Sequence, residues 1–95
     1  LPILINSFFH DAVELQGKAQ QALEQRRADD LRRAAHTLKS NAKNFGGSEL
    51  ARLCQELESR AKENNFEGAE ELLVGIAREY AKVQATLETI RKTLT

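Results

Sequence analysis

His36 has the surroundings of a reactive side chain rather than of a packing residue. In a helix, residues three, four and seven positions apart share a face. The neighbours of His36 at those spacings are basic or small, and they are Arg32, Arg33, Lys39, Ser40 and Lys43. Nearby cations disfavour the imidazolium form, so we expect a neutral, nucleophilic ring near pH 7. The same cations would attract a phosphorylated partner and stabilise negative charge on a transferring phosphoryl group.

A plain alternative is that His36 is a solvated surface residue. Sequence motifs that would indicate a different kind of active site are therefore relevant as well. The sequence contains no G-x-S-x-G, no H-E-x-x-H, no Cys/His cluster and no G-x-x-x-x-G-K-[ST]. It therefore predicts no serine hydrolase, no metal site and no ATP site. Nor do we interpret His10, which lies alone in the first helix, as a second active histidine or a ligand. His36 remains the candidate.

Composition excludes several classes of partner. Fourteen basic and fourteen acidic side chains give a formal net charge of zero, and only four Phe and one Tyr are present. A zero net charge with so few aromatic residues predicts neither nucleic acid nor an anionic membrane as a binding partner. One cysteine allows no internal disulfide and suggests a reducing compartment. No apolar run approaches the roughly 20 residues that span a bilayer.

The helix that would carry His36 presents a separate apolar face. Its members recur at helical spacing, and they are Leu31, Ala34, Ala35, Leu38, Ala42 and Phe45. We predict that Asp29 caps this helix, that it ends near Phe45, and that Gly46 and Gly47 form a tight stop. Ser48 would cap the following helix. So short a link predicts two antiparallel helices.

Three further helices are predicted. The first runs from about Pro2 to about Arg26, with a possible bend at Gly17. The third runs from about Glu49 to Asn64, and its stripe is Leu50, Leu53, Cys54, Leu57 and Ala61. The last runs from Phe66, and its seam is Phe66, Ala69, Leu73, Ile76, Tyr80, Val83, Leu87, Ile90 and Leu94. Cys54 is interpreted as a small buried hydrophobe.

These stripes predict an all-α fold, an antiparallel up-down four-helix bundle. A three-helix arrangement with a kinked first helix is the lesser alternative. Residues 1–95 are one domain by length. Because the chain begins at Leu1 without Met, we expect it to be a piece of a longer protein. No signal peptide is evident, so we expect a cytoplasmic domain, or the cytoplasmic part of a membrane-anchored sensor kinase.

Residues 34–58, AAHTLKSNAKNFGGSELARLCQELE, resemble the signature of histidine-containing phosphotransfer (HPt) domains. Members of that family read A-H-x-L-K-G-[SA]-[SA]-x-x-[LFI]-G and then L-x-x-L-C-x-x-[LI]-[EQ], and they are four-helix bundles of this length. The resemblance implies that His36 accepts and donates a phosphoryl group through Nε2, and that Lys39 neutralises phosphoryl oxygens. Ser40 stands where the family usually has Gly, and Lys43 where a small residue is common. Ser40, Lys43 and Arg32 are expected to contact the phosphate or the partner.

Glu58 is predicted beside His36 from the geometry of the helical hairpin. Reflecting His36 through the turn at Gly46 and Gly47 lands near Leu57, which faces the core, so Glu58 flanks the site. Its carboxylate would accept a hydrogen bond from Nδ1–H and leave Nε2 bare for attack. We therefore hypothesise that Glu58 orients the ring.

The resemblance implies a phosphorelay intermediate. A response-regulator receiver domain would dock on the exposed flank of the second and third helices, and a second receiver would take the phosphoryl group onward. The receiver would supply Mg²⁺, and no cofactor of this chain's own is expected. Two alternatives are the amino-terminal phosphoacceptor module of a chemotaxis-type histidine kinase, and a helical adaptor without catalytic function. The isolated domain is expected to be monomeric.

Overall fold

The computed structural model describes residues 2–44 and 48–94, which form four α-helices. They are α1 (Pro2–Glu24), α2 (Ala28–Asn44), α3 (Ser48–Lys62) and α4 (Ala69–Leu94). Each helix packs against two others, in the pairs α1–α2, α2–α3, α3–α4 and α4–α1. The predicted all-α four-helix bundle is confirmed. The turn predicted at Phe45, Gly46 and Gly47 lies outside the described residues.

The core is built from the predicted apolar stripes. Among its fully buried side chains the largest are Leu31, Leu38, Leu50, Leu57, Ile76 and Cys54. Burying one such leucine or isoleucine contributes about 1.5–3 kcal/mol. The α1 side of the core is lined by small residues, including Ala12, Ala19 and Ala22. The side chains of residues 2–9, and of Leu87 and Leu94 in the predicted seam, lie outside the described set.

The beginning of α2 differs from the prediction. The carbonyl of Arg27 accepts the bond from Leu31 N at 3.0 Å, so α2 begins at Ala28. Asp29 therefore lies in the first turn of the helix rather than at its cap. In α1 one helix runs through Gly17, so the chain does not divide there into a short helix and a longer one.

The last helix is shorter at its start than the apolar pattern predicted. Phe66 precedes α4, which begins at Ala69 after Gly68 has turned the chain at φ 73°. Phe66 still packs against the core, which is why its register matched the helical stripe. Near the other end of α4, Ile90 of the predicted seam is 49% exposed, so the stripe extends further than the core it faces.

Candidate functional site

His36 lies on α2 opposite the face that enters the core. Its side chain is 56% exposed, whereas Ala35 and Leu38 beside it are fully buried. The turn after His36 is tied to α4, because the Tyr80 hydroxyl lies 3.5 Å from the Leu38 carbonyl oxygen and 3.3 Å from Asn41 Oδ1. Burial raises the pKa of that phenol, which therefore keeps its proton. α2 is thus held from behind while His36 faces outward.

The contact between His36 and Glu58 sets which ring nitrogen is free. Glu58 Oε2 lies 2.9 Å from His36 Nδ1. An ionised carboxylate can only accept, so Nδ1 carries the hydrogen and donates it to Glu58. In the neutral ring Nε2 then bears the lone pair. Since Nδ1 is bonded to Glu58 on α3 and the side chain is 56% exposed, Nε2 is the ring nitrogen left open to a partner.

Glu58 also contacts a cation. Its other oxygen, Oε1, lies 2.8 Å from Lys39 Nζ, and the two side chains are only 16% and 15% exposed. Oε1 is buried and makes no aligned hydrogen bond within the described part of the chain, so this contact is an ion pair. Burial of the Glu58 carboxyl raises its pKa, but Lys39 and His36 lower it by more, and the pKa lies below its ordinary 4.5. Glu58 is therefore ionised at neutral pH.

Lys39 reaches a second acceptor on α3. Its ammonium donates to Gln55 Oε1 at 2.8 Å, and Gln55 Nε2 donates to Ser59 Oγ at 3.1 Å. His36, Glu58, Lys39, Gln55 and Ser59 form one connected set, which we call the α2–α3 network. Sequence reasoning missed Gln55 and Ser59. Their spacing was available as a signal, since Gln55 lies three residues before Glu58 and four before Ser59, on one face of α3.

The other predicted site residues are not part of the α2–α3 network. Arg32 Nη2 lies 2.8 Å from Asp29 Oδ1, and Arg33 Nη2 lies 3.0 Å from Asp29 Oδ2. A hydrogen bond from Arg32 and the charge of Arg33 lower the pKa of the Asp29 carboxyl, which stays ionised and offsets part of the charge of both arginines. The cationic surroundings expected from spacing are therefore partly neutralised. Ser40 and Lys43 are exposed on α2, where both remain predicted contacts for a phosphate or a partner.

The rest of the described structure offers no metal centre beside this site. No group of three or more His, Cys, Asp and Glu side chains in ranges 2–44 and 48–94 is arranged to hold a metal ion. His10 is exposed, with Nε2 3.6 Å from the carboxylate of Glu14, four residues on. No described helix is long and apolar enough to cross a membrane.

Comparison with known proteins identifies the family. The Hpt domain profile matches residues 3–92, nearly the whole chain. The chain belongs to the Hpt domain family. Its fold is also that of the crystal structure of histidine-containing phosphotransfer protein B (HptB) from Pseudomonas aeruginosa PAO1, with a TM-score of 0.92 and 32% sequence identity. That match covers 97% of this chain and 80% of the HptB chain. No curated protein matches this chain.

Membership of the Hpt domain family defines the biochemical function of the domain. As an Hpt domain the protein is a phosphorelay intermediate of two-component signal transduction, a class of domain that interacts with receiver domains and with kinases. The candidate site is an exposed side chain rather than an enclosed pocket. A side chain that reacts with a group on another protein has to be exposed in this way. The family and function that the motif predicted are confirmed.

Proposed function

We propose that His36 is the phosphoryl acceptor and that it takes the group from a receiver-domain aspartyl phosphate. The observation that carries this proposal is the hydrogen bond from His36 Nδ1 to Glu58, which leaves Nε2 as the basic nitrogen on the exposed face. Arg32, Ser40 and Lys43 surround that face and would meet the docking receiver. The domain acts as a cytoplasmic monomer in this proposal.

The transfer is an in-line displacement at phosphorus. The Nε2 lone pair of His36 forms the N–P bond while the bond from phosphorus to the aspartyl oxygen breaks, and the aspartate leaves as a carboxylate. The imidazole gains positive charge, which the Glu58 carboxylate stabilises through Nδ1–H. Transfer to a second receiver reverses these steps. The receiver would supply the Mg²⁺, which would neutralise the phosphoryl oxygens on its side.

Lys39 is proposed to supply positive charge on this side of the transferring group. An ammonium has three N–H donors. One donates to Gln55 Oε1 at 2.8 Å, and the ammonium is also ion-paired with Glu58 Oε1 at 2.8 Å. An N–H that is not donated to Gln55 is available to a phosphoryl oxygen on His36. Lys39 would therefore stabilise the phosphorylated state without leaving its partners on α3.

The test is phosphotransfer from a radiolabelled phospho-receiver. We expect the wild type to acquire acid-labile, alkali-stable phosphate, the behaviour of phosphohistidine, and His36→Gln to acquire none. His10→Gln is the matched control, because it removes the other histidine of the chain and should be labelled normally. Label that persists on His36→Gln would contradict the assignment.

The same assay separates the alternatives. A domain labelled by an ATP-fed kinase domain but by no receiver would be the chemotaxis-type module. A domain that no donor labels, and whose partner binding is unchanged by His36→Gln, would be the adaptor. Chemical crosslinking of the isolated domain tests the proposed monomer.

A further inference from the structure

Gln55 lies on α3 in a position that no motif or comparison assigns to the site. Its side chain is exposed, and it is not needed to fill the core. It nevertheless accepts a hydrogen bond at 2.8 Å from Lys39, a residue of α2 whose side chain is only 15% exposed. An exposed residue that fixes a shielded cation beside a reactive ring is a candidate for a role in the reaction.

The orientation of the Gln55 amide follows from charge. Its Oε1 faces the Lys39 ammonium and its Nε2 faces Ser59 Oγ, 3.1 Å away. The reverse orientation would place an NH₂ group against an ammonium, and both are donors. Ser59 accepts from the NH₂ group, but because a hydroxyl can also donate, the Lys39 ammonium is what determines the orientation. The amide oxygen is therefore held toward Lys39.

The second acceptor of Lys39 is neutral, and this decides how much positive charge is left for phosphate. Glu58 divides its carboxylate between Lys39 and His36. A carboxylate at position 55 would add a second negative charge beside Lys39, whereas an amide oxygen holds the ammonium without adding charge. A leucine would leave Lys39 with Glu58 as its one acceptor in the α2–α3 network.

From these contacts we infer that Gln55 is a positioning residue for phosphotransfer, which holds the Lys39 ammonium so that a remaining N–H is directed at the phosphoryl group on His36. The inference rests on the proposed function, since it requires phosphate on His36. Gln55 itself touches neither the ring nor the phosphate. It acts through Lys39.

The experiment is a double-mutant cycle on the full chain. Gln55→Leu, Lys39→Met and the double variant are compared with wild type in the rate of phosphotransfer from a phospho-receiver. Misplacing a group that stabilises charge costs rate steeply, and we expect Gln55→Leu to be slower by about tenfold. The double variant should be no slower than Lys39→Met, because residues that act through one contact are not additive.

A spectroscopic readout separates positioning from a general loss of structure. A cation beside the phosphoryl group lowers the pKa of its last proton. The ³¹P chemical shift of phospho-His36, followed against pH, should therefore titrate at higher pH in Gln55→Leu, as in Lys39→Met. Gln84→Leu is the matched control, because Gln84 is an exposed glutamine that bonds within α4, to Glu88. It should leave both the rate and the titration unchanged.

Each outcome has one meaning. Rate losses that multiply in the double variant, or a ³¹P titration unmoved by Gln55→Leu, would overturn the role of Gln55 while His36 remained phosphorylated. Lys39→Met without effect would overturn it equally. If Gln55→Leu melts at a lower temperature than wild type, Gln55→Met provides a second variant of similar length. Absence of label on wild-type His36 would refute the proposed function instead.

Discussion

At the scale of single residues, Glu58 joins the two groups on which the proposed chemistry depends. One oxygen lies 2.9 Å from His36 Nδ1 and the other 2.8 Å from Lys39 Nζ. Its position beside His36 followed from counting through the hairpin turn. Its ion pair with Lys39 did not, because a contact across two helices depends on side-chain rotamers that spacing along one helix does not define. The pairing of Arg32 with Asp29 lies within α2 at i, i+3, a spacing that the sequence does show, and it was missed because Asp29 was assigned to the helix cap.

Replacing Glu58 by Gln should lower stability in a pH-dependent way. The folded pKa of Glu58 lies below 4.5, its unfolded value. Its ionised contacts therefore stabilise the fold fully above pH 4.5, and that contribution is lost as the pH falls through the folded pKa. We expect Glu58→Gln to cost about 1 kcal/mol at pH 7, the upper end for a partly exposed ion pair. Urea unfolding of both proteins between pH 7 and pH 3 measures the difference.

The control for this prediction is Glu63→Gln. Glu63 is exposed after α3 and makes no ion pair with any residue that the structure describes, so its removal should change stability little. A difference between wild type and Glu58→Gln that stays constant from pH 7 to pH 3 would show that the ionised carboxylate does not stabilise the fold.

At the scale of elements, the α3–α4 connection is where the sequence was least informative. Apolar spacing predicted the stripes of all four helices, because burial of those faces is what makes the helices pack. It could not separate Phe66, which is packed but lies in the turn, from the residues of α4 itself. The start of α4 is set instead by Gly68 at φ 73° and by Arg60, whose Nη1 donates to the Glu67 carbonyl. Neither feature has a periodic signature.

Replacing glycine by alanine is expected to have opposite effects on the free energy of unfolding at two positions, Gly68 and Gly17. A Cβ on Gly68 would lie 2.7 Å from Arg60 Nη1, and a left-handed conformation costs an L-residue about 1–2 kcal/mol. Gly68→Ala should therefore destabilise by at least that amount. Gly17 lies inside α1, and among the described residues no atom outside its own helical turn lies within 4 Å of where an alanine methyl would sit. Gly17→Ala should therefore stabilise by about 0.5–1 kcal/mol.

Thermal or urea unfolding of the two variants checks both signs. A Gly68→Ala protein as stable as wild type would mean that the turn adopts another conformation when it carries a side chain. A Gly17→Ala protein that is destabilised would mean that α1 is not a regular helix at that point.

At the scale of the whole molecule, the site exists only while the bundle is folded. His36 and Glu58 are 22 residues apart in sequence and meet because α2 and α3 pack along their length. All four helices contribute to one core, with Ala19, Leu38, Leu57 and Ile76 each fully buried. A single shared core predicts cooperative, two-state unfolding.

Cys54, the one cysteine of the chain, reports that cooperativity. It is fully buried, and burial raises the pKa of its thiol to about 12. A thiol reagent at pH 8 should therefore label it only when the bundle opens, at a rate that follows the unfolded population. Gly68→Ala should speed labelling by about 5- to 30-fold, the factor that corresponds to 1–2 kcal/mol, and Gly17→Ala should slow it. If all three proteins were labelled at one rate, Cys54 would be reached by a local opening of α3, and the α2–α3 network would then be able to open without unfolding the domain.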